Sequence, residues 1–284
     1  MMRGMYAAIS GLSVHQTMLD VTANNLANVD TIGYKAQRTT FVDQLSQQLR
    51  AATNMTATSG GTNPTQVGLG VSLGSIDNLM GEGSMQSTGN VLDIAVQGDG
   101  FFQVGSGNAG AVPPVLPTSY QYTRAGNFTL NSAGYLTTQN GEYVMGQAQP
   151  GAIGGSNPLE YLQIPPGSTG VAVGQNGAVT YVDTGGNTQT AGYLSLVSFP
   201  NEAGLERQGG SMWSQTSASG APMAQGSPQS NNLGTTLSGE LEQSNVDLAT
   251  EFTNMITAER GFQANSRVIT TADQMLQTLV SMGQ

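Results

Sequence analysis

Side chains that could carry acid–base or nucleophilic chemistry are few in this chain of 284 residues, which contains no Cys and one His. A catalytic relay or a His-rich metal site would have to use His15, and no nucleophile accompanies it at a suitable spacing. Lys35 is the single lysine, and a lysine just after a helix end more often contacts carbonyl groups or solvent than forms a Schiff base. The sequence therefore predicts no catalytic residue, no cofactor and no metal ion.

One segment has the residue types of a calcium site, because Leu92 to Phe102 loosely resembles calcium-binding Gly-Asp repeats. Those repeats work as stacked arrays, whereas this segment occurs once. We interpret Gly98-Asp99-Gly100 as a tight turn between two strands. The chain also has no Walker loop and no dinucleotide fingerprint that opens a helix after a strand, so no positive feature supports an enzyme.

The charge balance limits the classes of partner that the chain could bind. With 8 Lys and Arg against 18 Asp and Glu, the net charge of −10 argues against nucleic acid and anionic membranes, which both attract basic patches. No window approaches the 18 or so consecutive apolar residues of a membrane helix. The first thirty residues lack a basic region followed by a continuous apolar run, so we expect no cleaved secretory signal. The chain is then either cytosolic or exported by a route that needs no cleaved signal.

Two long terminal helices are the elements that the apolar spacing predicts. A seven-residue period keeps one narrow stripe facing a partner helix, as in a coiled coil. A helix over 2–28 would span about 40 Å and one from Asp247 to Met282 about 54 Å, longer than a β unit of about 150 residues, so other chains must cover them. The predicted assembly stripe comprises Met5, Leu12, Leu19 and Leu26, then Leu248, Met255, Phe262, Ile269 and Leu276, with Phe252 and Leu279 in support.

The stripe has an alternative explanation, which is ordinary core packing, because Glu259, Ser266 and Asp273 interrupt its second face. For the same reason we expect several helix contacts per subunit and not a simple two-stranded seam. Gly11 lowers the helix propensity by about 1 kcal/mol, and Gly261 interrupts the last helix without ending its pattern.

The middle of the chain reads as β structure. Residues 34–50 fit a short second helix or an extended segment, and 51–64 fit a flexible loop. Asn140-Gly141 and Asn176-Gly177 predict type I′ hairpins, whereas 208–238 is polar and rich in Gly and Ser. The fold class is α+β, a β-rich domain with long N- and C-terminal helices pairing as a coiled coil. Predicted strands are 71–77, 92–97, 100–104, 120–124, 127–130, 135–138, 143–145, 171–173, 179–182 and 193–199.

Five ordered motifs resemble bacterial flagellar rod and hook proteins. The first pairs Ala23-Asn24-Asn25-Leu26-Ala27-Asn28-Val29 with Gly33-Tyr34-Lys35. Three internal motifs cover 63–71, 92–102 and 122–128. The C-terminal motif joins Ser244-Asn245-Val246-Asp247-Leu248 to 259–267. The match covers both ends and the first half of the middle, and 147–238 is less distinctive.

The resemblance implies an axial protein without enzymatic activity that polymerises with itself into a hollow tube. It implies an inner helical domain made of 1–30 and 239–284, a linker over 31–75 and an outer β-rich domain over 76–238. Implied partners are other axial proteins (rod, hook-filament junction and hook cap) and the flagellar export apparatus, with no membrane insertion. The implied location is the extracellular hook or basal body. Asn24, Asn25 and Asn28 would contact or turn toward neighbouring subunits.

Within this family the motifs at 245–248 and 260–265 are more similar to short hook proteins, so we expect a flexible hook subunit that transmits torque. The first alternative is the distal rod subunit. Another alternative, of a different class, is a secreted β-rich binding or hydrolytic module with helical oligomerisation ends. The loop over 51–66 is the expected determinant of stiffness between subunits, and the region over 148–168 is where longer relatives insert a domain.

Overall fold

The chain forms two compact units that interleave along the sequence. The computed structural model describes residues 2–52, 54–55, 60–107, 109, 116–117, 119–151 and 158–283. Unit 1 contains Met1–Ala27, Gln37–Asp77 and Asp247–Gln284, and unit 2 contains Asn28–Ala36 and Asn78–Val246. Unit 1 therefore unites the two ends of the chain, which is the arrangement that two pairing terminal helices require.

The elements are as follows in chain order. They are α1 (Met2–Ala27), β1 (Gln37–Asp43), β2 (Ser46–Arg50), β3 (Thr65–Gly68), β4 (Val71–Asn78), β5 (Met85–Ser87), β6 (Ile94–Gln97), β7 (Phe101–Gly105), β8 (Gln121–Thr123), β9 (Thr129–Leu130), β10 (Leu136–Thr137), β11 (Tyr143–Gln147), β12 (Leu159–Tyr161), β13 (Thr169–Val173), β14 (Ala178–Val182), β15 (Thr188–Leu194), β16 (Leu196–Ser198), β17 (Glu206–Gly209), β18 (Met212–Ser214), β19 (Ala224–Gly226), β20 (Thr235–Ser238), β21 (Glu240–Glu242) and α2 (Leu248–Met282). A 3₁₀ turn covers Glu202–Gly204.

Both predicted terminal helices are confirmed. Asp247 caps α2, because its carboxylate accepts hydrogen bonds from the Ala249 amide at 3.0 Å and the Thr250 hydroxyl at 2.8 Å. Both bonds lower the pKa of Asp247, and the bond from the Thr250 hydroxyl has the larger effect. Hydrogen bonds to a carboxylate stabilise its charged form. The predicted helix start therefore has a specific local cause, which is satisfaction of amides that have no partner within the helix.

Residues 37–50 are extended, so the second of the two interpretations of 34–50 holds. β1 pairs with β4, and β2 pairs antiparallel with β3. We call Leu45 to Leu69 the arm, and the described part of its tip carries no strand between β2 and β3. The predicted loop over 51–64 lies partly outside the described residues, at 53 and 56–59.

Unit 2 is built on one antiparallel sheet. Its strand order is β13-β14-β15-β11-β7-β8-β18-β17, with β9, β10, β12, β16 and β19 attached beside this path. The pairs β20-β6 and β21-β5 form separate two-stranded sheets. Side chains alternate between the two faces of a strand, and Phe101 and Phe102 accordingly enter two different clusters, the first with Trp213 and the second with Phe128 and Val104. Unit 2 therefore has a hydrophobic core on each side of β7.

Two turn types differ from the prediction. The hairpins at Asn140-Gly141 and Asn176-Gly177 exist, since β10 pairs with β11 and β13 with β14. A type I′ turn requires positive φ at both central residues, yet Gly141 and Gly177 have positive φ while neither Asn does. The amide of Gly177 donates to the Gly174 carbonyl at 2.9 Å, which places the glycine at the end of the turn. The glycine supplies the left-handed residue, so the asparagine before it does not have to.

The segment over 208–238 contains strands that the sequence did not reveal. β18, β19 and β20 lie within it, and Trp213 on β18 is 1% exposed. These strands have three or four residues each, so they are too short to show the alternation that predicts a strand. They pair with β8, β16 and β6, which satisfies their backbone groups.

Candidate assembly surface

The two terminal helices of unit 1 pack antiparallel. The Asn25 side-chain amide donates to Glu251 Oε1 at 3.0 Å. A Cβ atom on Gly261 would lie 2.5 Å from His15 Cε1, and one on Gly11 would lie 2.8 Å from Asn265 Nδ2. Gly11 is thus level with Asn265, and His15, four residues later on α1, is level with Gly261, four residues earlier on α2. Extended to the start of α1, this antiparallel register places Met2 level with Gln274.

The seam between the helices is lined by small and polar residues as well as by the predicted stripe. Positions three and four residues apart lie on one helix face, and on each helix the best-covered residues follow that spacing. On α1 they include Ala8, Gly11, Val14, His15, Met18, Thr22 and Asn25, and on α2 they include Glu251, Met255, Ala258, Gly261, Phe262, Asn265, Ile269 and Ala272. Each helix therefore presents small residues against which larger side chains of the other helix pack, as knobs pack into holes.

Gly11 and Gly261 each contact a side chain of the opposite helix, Asn265 and His15 respectively. Three atoms of the His15 ring lie within 2.9 Å of the position that a Cβ on Gly261 would take. The same ring meets Phe41 edge to face, with centroids 6.2 Å apart. The two glycines weaken helix propensity, but close packing of the two helices requires them.

We expect Gly261→Ala to destabilise the helix pair despite its better helix propensity. The overlap with His15 costs about 1–3 kcal/mol, against a propensity gain of about 1 kcal/mol. In a His15→Ala background the overlap is absent, so the same substitution should stabilise by about 1 kcal/mol. Urea unfolding followed by helical circular dichroism measures both values. If Gly261→Ala stabilised the protein in both backgrounds, His15 would not pack against Gly261. The control is Gly4→Ala, because a Cβ on Gly4 would meet nothing within 4 Å.

Asn25 fixes how the chain leaves the seam. It is 1% exposed; its amide nitrogen also donates to the Gln37 carbonyl at 2.7 Å, and its carbonyl oxygen accepts from the Gln37 amide at 2.9 Å. These bonds form within unit 1, and the contact of Asn25 with a neighbouring subunit stays a prediction. The side chain is occupied in joining α1, β1 and α2, which a single sequence does not reveal.

The other predicted assembly residues occupy three kinds of position. Asn24 is exposed, and Asn28 is half-buried in unit 2, where its side-chain oxygen accepts from the Thr31 hydroxyl at 3.1 Å. Three apolar residues are exposed: Leu248, Phe252 and Leu279. Half-buried ones are Met5, Leu12, Leu19, Leu26, Met255, Phe262, Ile269 and Leu276. The role of these residues in assembly stays a prediction.

Unit 1 also exposes much apolar surface that belongs to no core. Exposed large side chains on its helices and on the arm are Tyr6, Ile9, Leu45, Leu49, Met55, Val67, Leu69, Leu248, Phe252, Ile256, Val268, Met275, Leu279, Val280 and Met282. Among them Leu248, Phe252 and Ile256 follow one another at four-residue spacing on one face of α2, and an exposed apolar patch indicates an interaction site. Unit 1 therefore has the surface of a subunit that is covered in an assembly.

Unit 2 contains a buried ion cluster where three of its segments meet. We call these segments, 28–36, 78–83 and 239–246, the chain crossing. Lys35 Nζ lies 2.6 Å from Glu242 Oε1 and 3.0 Å from the Gly81 carbonyl, and Arg124 Nη1 lies 3.6 Å from Glu242 Oε2. Burial lowers the pKa of Lys35, and the Glu242 carboxylate opposes that shift. The expectation that Lys35 contacts a carbonyl is confirmed, but it does not face solvent.

The motif Gly33-Tyr34-Lys35 is held by the β structure of unit 2. Gly33 has φ of 65°, and a Cβ there would lie 2.6 Å from the Ala125 amide nitrogen, so only glycine fits. The Arg207 guanidinium stacks 4.5 Å from the Tyr34 ring centroid and 4.9 Å from that of Trp213, and it donates to the Lys35 carbonyl. These contacts fix the start of the crossing.

Asn245 closes the crossing from the other end of the chain. Its side-chain oxygen accepts from the Ala36 amide at 2.8 Å, and its nitrogen donates to the carbonyls of Leu79 at 2.8 Å and Gly81 at 2.9 Å. One side chain therefore ties together all three segments of the crossing. This gives a physical role to the Ser244-Asn245-Val246 motif.

Within the described ranges, no group of three or more His, Asp or Glu side chains could hold a metal ion. None of the helices in the described part of the chain is long and apolar enough to cross a membrane.

A β-rich unit combined with a long terminal helix pair that exposes apolar flanks fits a structural subunit that other chains cover. Comparison with known proteins identifies the assembly. Residues 5–35 match the family described as "Flagella basal body rod protein", 95–181 match "Flagellar hook protein FlgE/F/G D1 domain", and 237–282 match "Flagellar basal body rod FlgEFG protein C-terminal".

Relatives match over the full length. The chain is 42% identical to "Flagellar basal-body rod protein FlgG" of Bacillus subtilis (strain 168), over 99% of both chains. It is 34% identical to the protein of that name from Borreliella burgdorferi, over 97% of both chains. It is 26% identical over 451 residues to "Flagellar hook protein FlgE" of the same organism, covering 99% of this chain and 100% of that protein. The chain belongs to the flagellar rod and hook family of axial structural proteins.

Proposed function

We propose that the chain is a distal rod subunit of the flagellar basal body, which polymerises into a hollow helical tube and transmits torque as a stiff shaft. The observation that best supports this proposal is the full-length similarity to rod proteins. In one organism, Borreliella burgdorferi, identity is 34% to the rod protein and 26% to the hook protein. The comparisons thus favour the rod over the hook that the short motifs at 245–248 and 260–265 suggested.

The arm supports a stiff tube. Its exposed apolar residues include Leu45 at 85%, Leu49 at 57% and Met55 at 81%, which is costly in a monomer. Packing of the arm against neighbouring subunits would bury these side chains and resist sliding between them. We therefore propose that the whole arm, which contains the loop over 51–66 expected from the sequence, determines stiffness.

Torque would enter and leave unit 2 through the chain crossing. A buried salt bridge, a stacked arginine and the Asn245 bonds hold its three segments, so they move together. This role requires no catalytic step. The proposal further includes self-assembly, contact with neighbouring axial proteins and delivery by the flagellar export apparatus without a cleaved signal, which all rest on the family.

Complementation separates the rod from the hook. We would express the chain in Bacillus subtilis strains that lack either the rod protein FlgG or the hook protein. We expect rods and motility above the empty-vector level to be restored in the first strain, and no hooks in the second. The purified protein should form straight tubes when viewed by electron microscopy. Hook assembly in the second strain, or curved and flexible tubes, would overturn the proposal in favour of the hook.

A further inference from the structure

α2 carries a second apolar line at seven-residue spacing, which the seam does not use. Val268, Met275 and Met282 are 46%, 50% and 84% exposed. Val268 and Met275 stand three residues after the seam positions Asn265 and Ala272, and Met282 continues the line seven residues further, so the second line runs beside the seam on the same helix. A seven-residue apolar period along one helix indicates a helical partner.

α1 does not provide that partner. The antiparallel register places Met2 level with Gln274, so among the described residues Met275 and those after it have no part of α1 opposite them. Residues 274–283 also contain no charged side chain. The end of α2 is therefore an uncharged apolar surface that continues an established helix interface.

A different apolar patch lies at the opposite end of α2. Leu248, Phe252 and Ile256 are 44%, 49% and 50% exposed. At about 100° per residue, this patch lies on one flank of the seam and the second line lies on the other. Glu251, the charged group between Leu248 and Phe252, is engaged with Asn25 in the seam. Two unlike patches at opposite ends of one rod-shaped element suit head-to-tail contact between copies.

We propose that the second line of α2 docks against Leu248, Phe252 and Ile256 on α2 of a second copy of this chain. The two α2 helices then run in the same direction, because successive copies are displaced along one axis. Both patches become covered in every copy except those at the ends, so the contact propagates without closing. This inference rests on the proposed function, since it assigns the contact between successive subunits of the tube.

Paired cysteines test the contact, and the absence of native Cys makes the test clean. Tubes containing Phe252→Cys with Met275→Cys should give a ladder of covalent multimers after mild oxidation. A mixture of the two single variants should give one dimer band, and neither single variant alone should cross-link. The control is Phe252→Cys with Gln274→Cys, because Gln274 is exposed and lies about 100° around α2 from Met275, on the side away from the seam.

The cross-linking outcomes distinguish the proposed contact from its alternatives. Cross-linking of Met275→Cys with itself would overturn the proposal in favour of a symmetric contact. A cross-link to a different flagellar protein would overturn the choice of partner. Tubes and motility without the ladder would refute the docking and leave the rod function standing. A ladder from a protein that complements neither strain would leave the docking and refute the rod.

A substitution gives a second readout. Met275→Ser should raise the concentration needed for polymerisation about tenfold, because it removes most of one buried side chain from each contact. Gln274→Ser, at an exposed position beside Met275 that faces away from the second line, should change it less than twofold. Equal effects of the two substitutions would contradict the assigned surface.

Discussion

Glu242→Gln lowers the free energy of unfolding of unit 2 by about 3–5 kcal/mol. The carboxylate is fully buried and faces Lys35 at 2.6 Å and Arg124 at 3.6 Å, so its neutralisation deprives two buried cations of the carboxylate that contacts them. It also accepts the Gly83 amide at 2.9 Å. Denaturant unfolding followed by the fluorescence of Trp213, the single tryptophan of the chain and a member of a unit 2 core, measures the loss.

Two variants control this experiment. Glu160→Gln makes the same chemical change at an exposed strand position of unit 2 and should stay within about 0.5 kcal/mol of the parent. Lys35→Met combined with Glu242→Leu removes both charges and should recover part of the loss, since Arg124 keeps its bond to the Gly98 carbonyl at 2.9 Å. If Glu242→Gln behaves like Glu160→Gln, the ion cluster contributes nothing to stability.

Phe262→Ser and Ile269→Ser abolish tube formation and leave unit 2 folded. Both side chains lie in the seam and are half-buried, so each change should cost the helix pair about 2 kcal/mol, or on the order of thirtyfold in an association constant. Assembly multiplies that effect because every subunit carries it. Trp213 fluorescence should keep its parent unfolding midpoint, while helical circular dichroism, which reports α1 and α2, should fall.

The matched control for this experiment is Gln263→Ser, which alters an exposed neighbour of Phe262 on the same helix. It should leave motility and tubes unchanged. Normal tubes from Phe262→Ser, seen by electron microscopy, would show that the helix pair does not carry assembly.

The outline of the fold could be predicted because its signals are local. The seven-residue stripe predicts both helices, and the cap at Asp247 follows from its side-chain oxygens. The stripe does not reveal how the helices meet. Burial of Gly11, Thr22 and Asn25 gives no hydrophobic signal, so the small and polar half of the seam was missed; a search for small residues three and four positions from each stripe residue would have found part of it.

The contacts that hold unit 2 together could not be predicted, for a different reason. Lys35 and Glu242 are 207 residues apart, and the sequence around either residue gives no signal that the other is its partner. β18 to β20 were missed because their residues are mostly small and polar, and the strands gain from backbone pairing that a pattern of side chains does not encode. The hook and rod alternatives differed only through short motifs, which the full-length comparison outweighs.

The order of contacts in the helix pair has a consequence for incomplete chains. The partner of Asn25 stands 226 residues later, at Glu251, so loop closure over nearly the whole chain precedes pairing. A chain that stops before α2 can fold α1 at most marginally, because an isolated helix gains little without a packed face. It also lacks both docking patches of α2. Truncated products should therefore be absent from the tube, and synthesis of the last residues sets the moment at which a subunit becomes able to assemble.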